Sequence, residues 1–355
     1  MAPPKLRRTS SEASALEARL ESGEAYEGLL ALAMFTGDEP EDSYAVGRRW
    51  FTEARRAASP ALRVAIKELV GSTGARWFFF LGLVHEAGGA RDIAALLARL
   101  GSMAPEEVLL VLLGGRLPRL RLEEGRRLVG RALDGDLRAA GEVAAKTFPS
   151  EERVVRQLAA LGPSRAKALT VEILERWQRE VFGSQRAELM AAAEADLAAK
   201  ARNTRGLAAE ELIDRLTGGI SYEGEAGIDR VLLVPTVISR PWLVICDWDS
   251  TKFFCYPVNP GSSRAADQPD PDLVQIYRAL GDETRLRILR ELVGGDCRIA
   301  DLAASLGLAK STIHSHLALL RRTGLVKLTI GADKRYGLRK GRPDLNQLLA
   351  GYLEG

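Results

Sequence analysis

The sequence predicts a mainly α protein, in which a multi-helix N-terminal region with a small β element precedes a smaller α+β domain. Ala, Leu, Arg and Glu dominate a composition that is 46% hydrophobic and 27% charged, which is typical of a globular helical protein. Apolar residues recur at helical spacing from about residue 24 to 218, and β-branched and aromatic residues follow. The last eighty-odd residues combine short helical segments with an alternating hairpin pattern.

The chain length and the cysteine content limit the class of protein. A chain of 355 residues fits two or three domains, each able to bury its own core. The three cysteines form no CxxC pair and are too few for a disulfide framework, which favours a reducing compartment. The basic start is followed by no apolar stretch, and the longest apolar run, residues 77–84, is far below the ~20 residues of a membrane span. We therefore expect a cytoplasmic protein with no membrane partner.

The N-terminal part divides into a tail and a helical domain. Residues 1–22 are polar and Ser-rich, and we expect a disordered tail with at most a marginal helix over 13–20. Residues 23–225 are expected to form a helical domain of about ten helices, because Gly and Pro breaks separate segments of ordinary helix length. An early i, i+3, i+4 stripe comprises Tyr26, Leu29, Leu30, Ala33 and Met34.

A small β element over residues 226–258 is expected to pack on the helical domain. Its apolar runs are rich in β-branched and aromatic residues, and Asp249-Ser250 marks a turn between the last two. A hairpin turning there places Cys246 and Cys255 on one face. A redox switch is one interpretation of this pair, but two thiols packed on a buried face are favoured.

The Pro-, Gly- and Ser-containing residues 259–270 predict a linker. Residues 271–355 form the last predicted domain. It begins with a short helix ending at Gly281 and a helix capped by Asp282, followed by an extended piece at 297–299. A helix over 300–306 then ends at Gly307, and a helix over 310–322 follows. The last predicted element is a hairpin of residues 325–330 and 335–339. Two helices joined by a tight glycine turn and followed by a hairpin predict a winged helix-turn-helix.

The helix over 310–322 has distinct inner and outer faces. Ile313, Leu317 and Leu320 recur at i, i+4, i+7 and are expected to face the core. Short polar side chains near the N-terminal end of such a helix can reach base edges in the DNA major groove, and the hairpin can contact the backbone. The candidate DNA-binding residues are Lys310, Ser311, Thr312, His314, Ser315 and Arg322 on the helix, with Lys334 and Arg335 in the wing.

Positive charge is concentrated in the same segment. Between Lys310 and Lys340 there are eight basic residues and one acidic residue, Asp333. Clustered positive charge on a small domain is typical of a protein that binds a polyanion, and a solvated basic face is the plain alternative.

The stretches LGDETRLRILRELVGG (280–295) and IADLAASLGLAKSTIHSHLALLRRTGLV (299–326) resemble the ArsR family of winged helix-turn-helix repressors. The resemblance covers about a quarter of the chain. It implies a homodimer that binds a palindromic operator in double-stranded DNA, usually represses, and releases DNA when a metal or another signal arrives.

The sequence departs from that family at the metal site. Metal-sensing members have a cysteine pair at the positions of Arg298 and Ala300, and Cys297 stands alone beside them. With only His85, His314 and His316 as histidines, we expect no metal site and no cofactor. His314 faces outward, whereas His316 is expected to be a packed structural residue.

These observations predict a sequence-specific DNA-binding transcription regulator, a repressor that acts as a dimer. The N-terminal helical domain is then a sensor of an unidentified small-molecule effector or a dimerisation platform. No phosphate loop or catalytic motif is present, so we expect no enzyme. Two alternatives stay open: a winged-helix protein-interaction module without DNA binding, and an enzyme-like ligand-binding domain fused to a DNA reader.

Overall fold

The computed structural model describes residues 16–204, 206–258, 271–331, 333–339 and 345–353. Helices dominate these ranges, which confirms the mainly α fold class. Thirteen described α-helices precede residue 218, against about ten expected; one of the extra helices arises because two short helices lie between Gly74 and Gly88. They are α1 (Glu24–Thr36), α2 (Gly47–Ala57), α3 (Pro60–Val70), α4 (Ala75–Phe78), α5 (Leu81–Ala87), α6 (Ile93–Ser102), α7 (Pro105–Leu112), α8 (Glu123–Leu133), α9 (Leu137–Lys146), α10 (Glu152–Leu161), α11 (Pro163–Glu180), α12 (Arg186–Asn203) and α13 (Ala209–Thr217).

Local sequence explains where several of these helices begin. The Asp92 side chain accepts a hydrogen bond from the Ala95 amide at 2.7 Å, which caps α6. Ser59 caps α3 in the same way, with Pro60 at the first helical position. The helices enclose one large apolar core, in which Trp77 and Trp177 are fully buried. The Trp177 indole donates to the Gly28 carbonyl at 3.0 Å, so its polar end is satisfied as well.

The expected N-terminal tail needs a correction. Strand β1 (Glu17–Leu20) pairs in parallel with a later strand of the β element, where Ala18 lies beside Val231. Residues 16–22 are therefore part of the fold, in a strand and not a marginal helix, because the edge of the sheet supplies backbone partners that the local sequence does not reveal. Residues 1–15 lie outside the described residues.

A four-stranded sheet follows the helices. It contains β3 (Arg230–Thr236), β4 (Val244–Trp248) and β5 (Thr251–Pro257), in the order β1-β3-β5-β4. The predicted hairpin turns at Asp249-Ser250 and places Cys246 opposite Phe253. Leu232, Val234, Phe253 and Cys255 pack against the helical core, while alternate residues such as Phe254 and Tyr256 pack into a second core. The sheet is therefore covered on both faces.

The two cysteines of the sheet lie on the helical side. Cys255 is buried and Cys246 is partly buried, and both are free thiols. Burial raises the pKa of both thiols above the ordinary cysteine value. Since the thiolate is the reactive form, these features support the packed interpretation over a redox switch.

The C-terminal elements up to the hairpin follow the predicted order, and a helix over Leu345–Leu353 that was not predicted comes after it. Asp282 caps the second helix as expected, and the helix over 310–322 has the predicted bounds. The extended piece at Cys297 forms a bridge with Tyr336, with two backbone hydrogen bonds of 2.8 Å. The elements are α14 (Pro271–Leu280), α15 (Glu283–Glu291), α16 (Ile299–Leu306), α17 (Lys310–Arg322), β6 (Val326–Ile330), β7 (Arg335–Leu338) and α18 (Leu345–Leu353).

The predicted boundary between the helical domain and the last domain is bridged by one strand. Strand β2 (Ile220–Tyr222), which the sequence placed at the end of the helical domain, pairs in parallel with β6 and extends the wing sheet to β2-β6-β7. Ile220, Tyr222 and Phe254 also share a core with Ile313 of α17.

The expected linker, 259–270, falls in a range that the structure does not describe. Within the described ranges, no helix is long and apolar enough to cross a membrane.

Candidate nucleic-acid interface

Helix α17 separates its side chains into a buried face and an exposed face. Ile313, Leu317 and Leu320 are 0% exposed and anchor the helix in the second core. Five of the predicted contact residues near the N-terminal end are exposed: Lys310, Ser311, Thr312, His314 and Ser315. The helical period places these side chains on the outer surface because the three apolar residues fix the inner one.

A tight turn sets the direction of α17. Gly307 adopts a left-handed conformation with φ of 68°, and the Leu308 amide donates to the Ala303 carbonyl at 3.0 Å. Glycine suits this position because it has no Cβ to clash. Ala309 then occupies the N-cap position in an extended conformation, and its side chain makes no capping hydrogen bond. The free amides at this end give α17 a positive pole next to Lys310.

Two polar residues of α17 already have contacts. The Ser315 hydroxyl donates to the Ser311 carbonyl at 3.1 Å, so it can remain bonded to the helix or turn outward. His316 is partly buried, and its Nδ1 lies 3.9 Å from Asp282 Oδ1 at the start of α15. This placement agrees with the expected structural role of His316. The Arg285 amide, which Asp282 caps at 2.9 Å, holds the pKa of that carboxyl below its usual value.

The wing carries the other two predicted residues. Lys334 and Arg335 are both exposed at the start of β7. Arg335 Nη2 lies 3.5 Å from Glu223 Oε2, in the segment that follows β2. Arg298, just before α16, pairs with Asp333 in the wing turn. Sequence reasoning missed the Glu223–Arg335 contact, because the pairing of β2 with β6 brings together positions more than 100 residues apart. It also gave Arg298 no role in the wing.

The two arginines at the end of α17 differ. Arg322 is helical, but its side chain lies outside the described part of the structure. Arg321 is partly buried, and burial lowers the pKa of its guanidinium below the ordinary value. Arg321 is therefore less accessible than the exposed cations Lys310, Lys334 and Arg335, although all four lie in the basic segment 310–340.

Among the described side chains, no group of three or more His, Cys, Asp or Glu is placed to hold a metal ion. Cys297 lies near the start of α16, with its thiol 3.5 Å from the Gly295 carbonyl. Partial burial, followed by the nearby acidic groups, raises the pKa of this thiol.

Comparison with known proteins matches this same region. Residues 282–327 match the family described as bacterial regulatory protein, arsR family, which confirms the resemblance for the C-terminal region. The chain is 48% identical over 67 residues to the HTH-type transcriptional regulator CmtR of Mycobacterium tuberculosis, and equally to that of Mycobacterium bovis. The match covers 19% of this chain and 57% of each relative. The transcriptional activator HlyU of Vibrio cholerae is 40% identical over 53 residues, covering 15% of this chain and 49% of the relative.

The matched region is a limited part of each protein. The chain spans about half the length of the curated relatives that it matches. No solved structure matches the chain.

Proposed function

We propose that the protein is a sequence-specific DNA-binding transcription regulator that represses its target and binds a palindromic operator as a dimer. The observation that carries this proposal is the exposed N-terminal end of α17, with Lys310, Ser311, Thr312, His314 and Ser315, beside the basic wing. Short donors and acceptors can approach base edges in the major groove, while Lys334 and Arg335 reach phosphates. The relatives named as transcription regulators support the same function.

Exposed apolar side chains on three helices of the C-terminal region support a dimer. Tyr277 of α14 is 42% exposed, Leu286 of α15 is 49% exposed, and Leu353 of α18 is 72% exposed. Helices α14 and α18 are in contact, so two of these side chains lie on neighbouring elements. A second copy of the chain would remove this apolar surface from water. A two-fold dimer would present two α17 helices to half-sites about one DNA turn apart, ~34 Å.

The direction of regulation is part of the proposal. One matched relative is named an activator, so repression has to be measured directly. We expect that deletion of the gene raises transcription from its target promoter, whereas lower transcription would identify an activator. We further propose that the helical region and the four-stranded sheet act as the sensor, with no catalytic role.

The DNA-binding proposal is tested by a salt titration. Fluorescence anisotropy on the protein's own upstream DNA should show an affinity that falls steeply with salt, because each neutralised phosphate releases counterions. The double variant Lys334→Ala, Arg335→Ala should bind all sequences more weakly and reduce the salt slope by about 2. The double variant Arg138→Ala, Lys146→Ala, which removes two exposed cations of α9, is the control.

Two outcomes would overturn the proposal. Undetectable binding at low salt, both to the upstream DNA and to genomic fragments, would favour a protein-interaction module. Equal loss of affinity in the α9 control would show a general effect of charge and not a contact made by the wing.

Base reading is tested separately at Ser315. Ser315→Ala should change the preferred operator sequence, with a discrimination change of about 1–3 kcal/mol at one base pair. Selection of bound sequences from a random DNA library measures this change, with Ser305→Ala, an exposed serine of α16, as control. An unchanged preference would assign sequence reading to other residues of α17.

A further inference from the structure

We infer that a cleft on the sensor region binds a small organic anion that also carries a hydrogen-bond donor. The cleft has a volume of about 940 Å³ and lies between the 107–126 segment, the 226–229 segment and the β4–β5 turn. Its volume falls within the range of small-molecule sites, roughly 300–1,000 Å³. The residues that carry the argument are Arg116, Arg121, Arg126, Asp229 and Asp249, with Glu107 on the rim.

The arginines of the cleft outnumber the carboxylates that they pair with. Arg116 Nη1 lies 3.1 Å from Asp249 Oδ2, and Arg121 Nε lies 3.6 Å from Asp249 Oδ1, so two guanidinium groups share one carboxylate. The Nε atom of Arg116 is buried and has no hydrogen-bond partner among the described residues. Arg126 is exposed, and none of the ion pairs among the described side chains involves it. A carboxylate or phosphate would satisfy these donors, since guanidinium groups bind both in a bidentate manner.

Two further carboxylates that line the cleft, Glu107 and Asp229, indicate which group the ligand carries beside its anionic group. The Glu107 carboxylate accepts a hydrogen bond from the Ala104 amide at 3.1 Å, and Asp229, which also lines the cleft, is exposed. A ligand with anionic groups only would be repelled by these two side chains. A hydroxyl or ammonium group beside the anionic group therefore fits the charge pattern best.

The walls of the cleft connect directly to the wing. The Ser250 carbonyl in the β4–β5 turn accepts hydrogen bonds from the Asp229 amide at 2.9 Å and the Arg230 amide at 3.2 Å. Asp229 ends the segment 223–229, which connects β2 to β3. This segment starts at Glu223, which pairs with Arg335 of the wing. It also includes Glu225, whose carboxylate lies 2.8 Å from Lys252 Nζ. An anion that competes with Asp249 for Arg116 and Arg121 would loosen the turn and shift this connection. That regulatory consequence rests on the proposed DNA binding, whereas binding of the anion does not.

Isothermal titration calorimetry on the full chain without DNA tests the site. The probes are citrate, glycerol 3-phosphate and inorganic phosphate, which separate carboxylate from phosphate recognition and both from a simple anion. We expect citrate or glycerol 3-phosphate to bind with a Kd below about 1 mM and at least about tenfold more tightly than inorganic phosphate. If neither organic anion binds below about 10 mM, or if inorganic phosphate binds equally well, the proposal is overturned.

Variants of opposite sign sharpen the test. Arg121→Gln should weaken binding at least about tenfold, because a charge-assisted hydrogen bond is lost. Asp249→Asn should strengthen binding, because it removes the competing carboxylate; asparagine tolerates the φ of 51° at this position. Arg153→Gln, an exposed arginine of α10 away from the cleft, is the control. Equal affinities for wild type and Arg121→Gln overturn the site, whatever the DNA-binding assays show.

Discussion

Glu27 is a buried carboxyl group in the first turn of α1. It is 2% exposed, and its Oε1 accepts hydrogen bonds from the backbone amides of Val237 at 3.0 Å and Ile238 at 2.6 Å. Burial disfavours the charged form more than these two amides favour it, which raises the pKa of Glu27 to about 7. The residue links the first helix to the loop after β3, so its charge bears on how the sheet is held.

The raised pKa predicts a stability that falls as pH rises. Because the folded pKa is above the unfolded value of 4.5, the folded state binds this proton more tightly, and the stabilisation is lost between about pH 4.5 and 7. Glu27→Gln keeps an acceptor for both amides without the charge. We expect its free energy of unfolding, relative to wild type, to increase with pH by up to roughly 3 kcal/mol.

Denaturant unfolding at pH 5, 7 and 8.5 measures this difference. Glu175→Gln, at an exposed position of α11, should show no comparable trend relative to wild type. A difference between Glu27→Gln and wild type that stays constant across the three pH values would contradict the prediction.

Helix α17 lacks one local stabilising feature at the scale of the element. Ala309 has the extended backbone of an N-cap residue but no side chain that can accept a hydrogen bond from the first turn. Ala309→Ser should supply that acceptor and stabilise the protein by about 1 kcal/mol. Ala304→Ser, the same change at an exposed position inside α16, should be neutral or slightly destabilising.

Thermal unfolding followed by circular dichroism measures both serine variants. A Tm of Ala309→Ser at or below that of wild type would mean that the α17 amides are already satisfied in solution. DNA affinity of the same variant should be retained, because the substitution adds only a small hydroxyl group beside Lys310.

At the scale of the whole molecule, the exposed apolar side chains Tyr277, Leu286 and Leu353 predict the oligomeric state. Sedimentation velocity should show a dimer for wild type. Tyr277→Glu combined with Leu353→Glu should give monomers, because charged groups would be buried without partners in the interface. Val64→Glu, at an α3 residue that is 64% exposed, should leave the dimer intact. A dimer that survives the double substitution would place the interface elsewhere. A monomeric wild type would contradict the dimer itself.

The sequence by itself determined the helix-turn-helix, the wing hairpin and the outer face of α17. Helical spacing in α17 depends only on residues three and four positions apart, so Ile313, Leu317 and Leu320 identified the exposed positions without any tertiary information. Turn and capping residues such as Gly307 and Asp282 act within a few residues of themselves. For the same reason the hairpin at Asp249-Ser250 was predictable, including the position of Cys246 opposite Phe253.

Tertiary structure alone decided how the parts are joined. The pairing of β1 with β3 and of β2 with β6 links positions that are distant in sequence, through backbone hydrogen bonds that carry no residue-specific signal. The contact between Glu223 and Arg335 follows from that pairing, as does the connection from the arginine-lined cleft to the wing. Local patterns specify the elements because their causes are local, whereas these contacts exist only after strands far apart in the chain have come together.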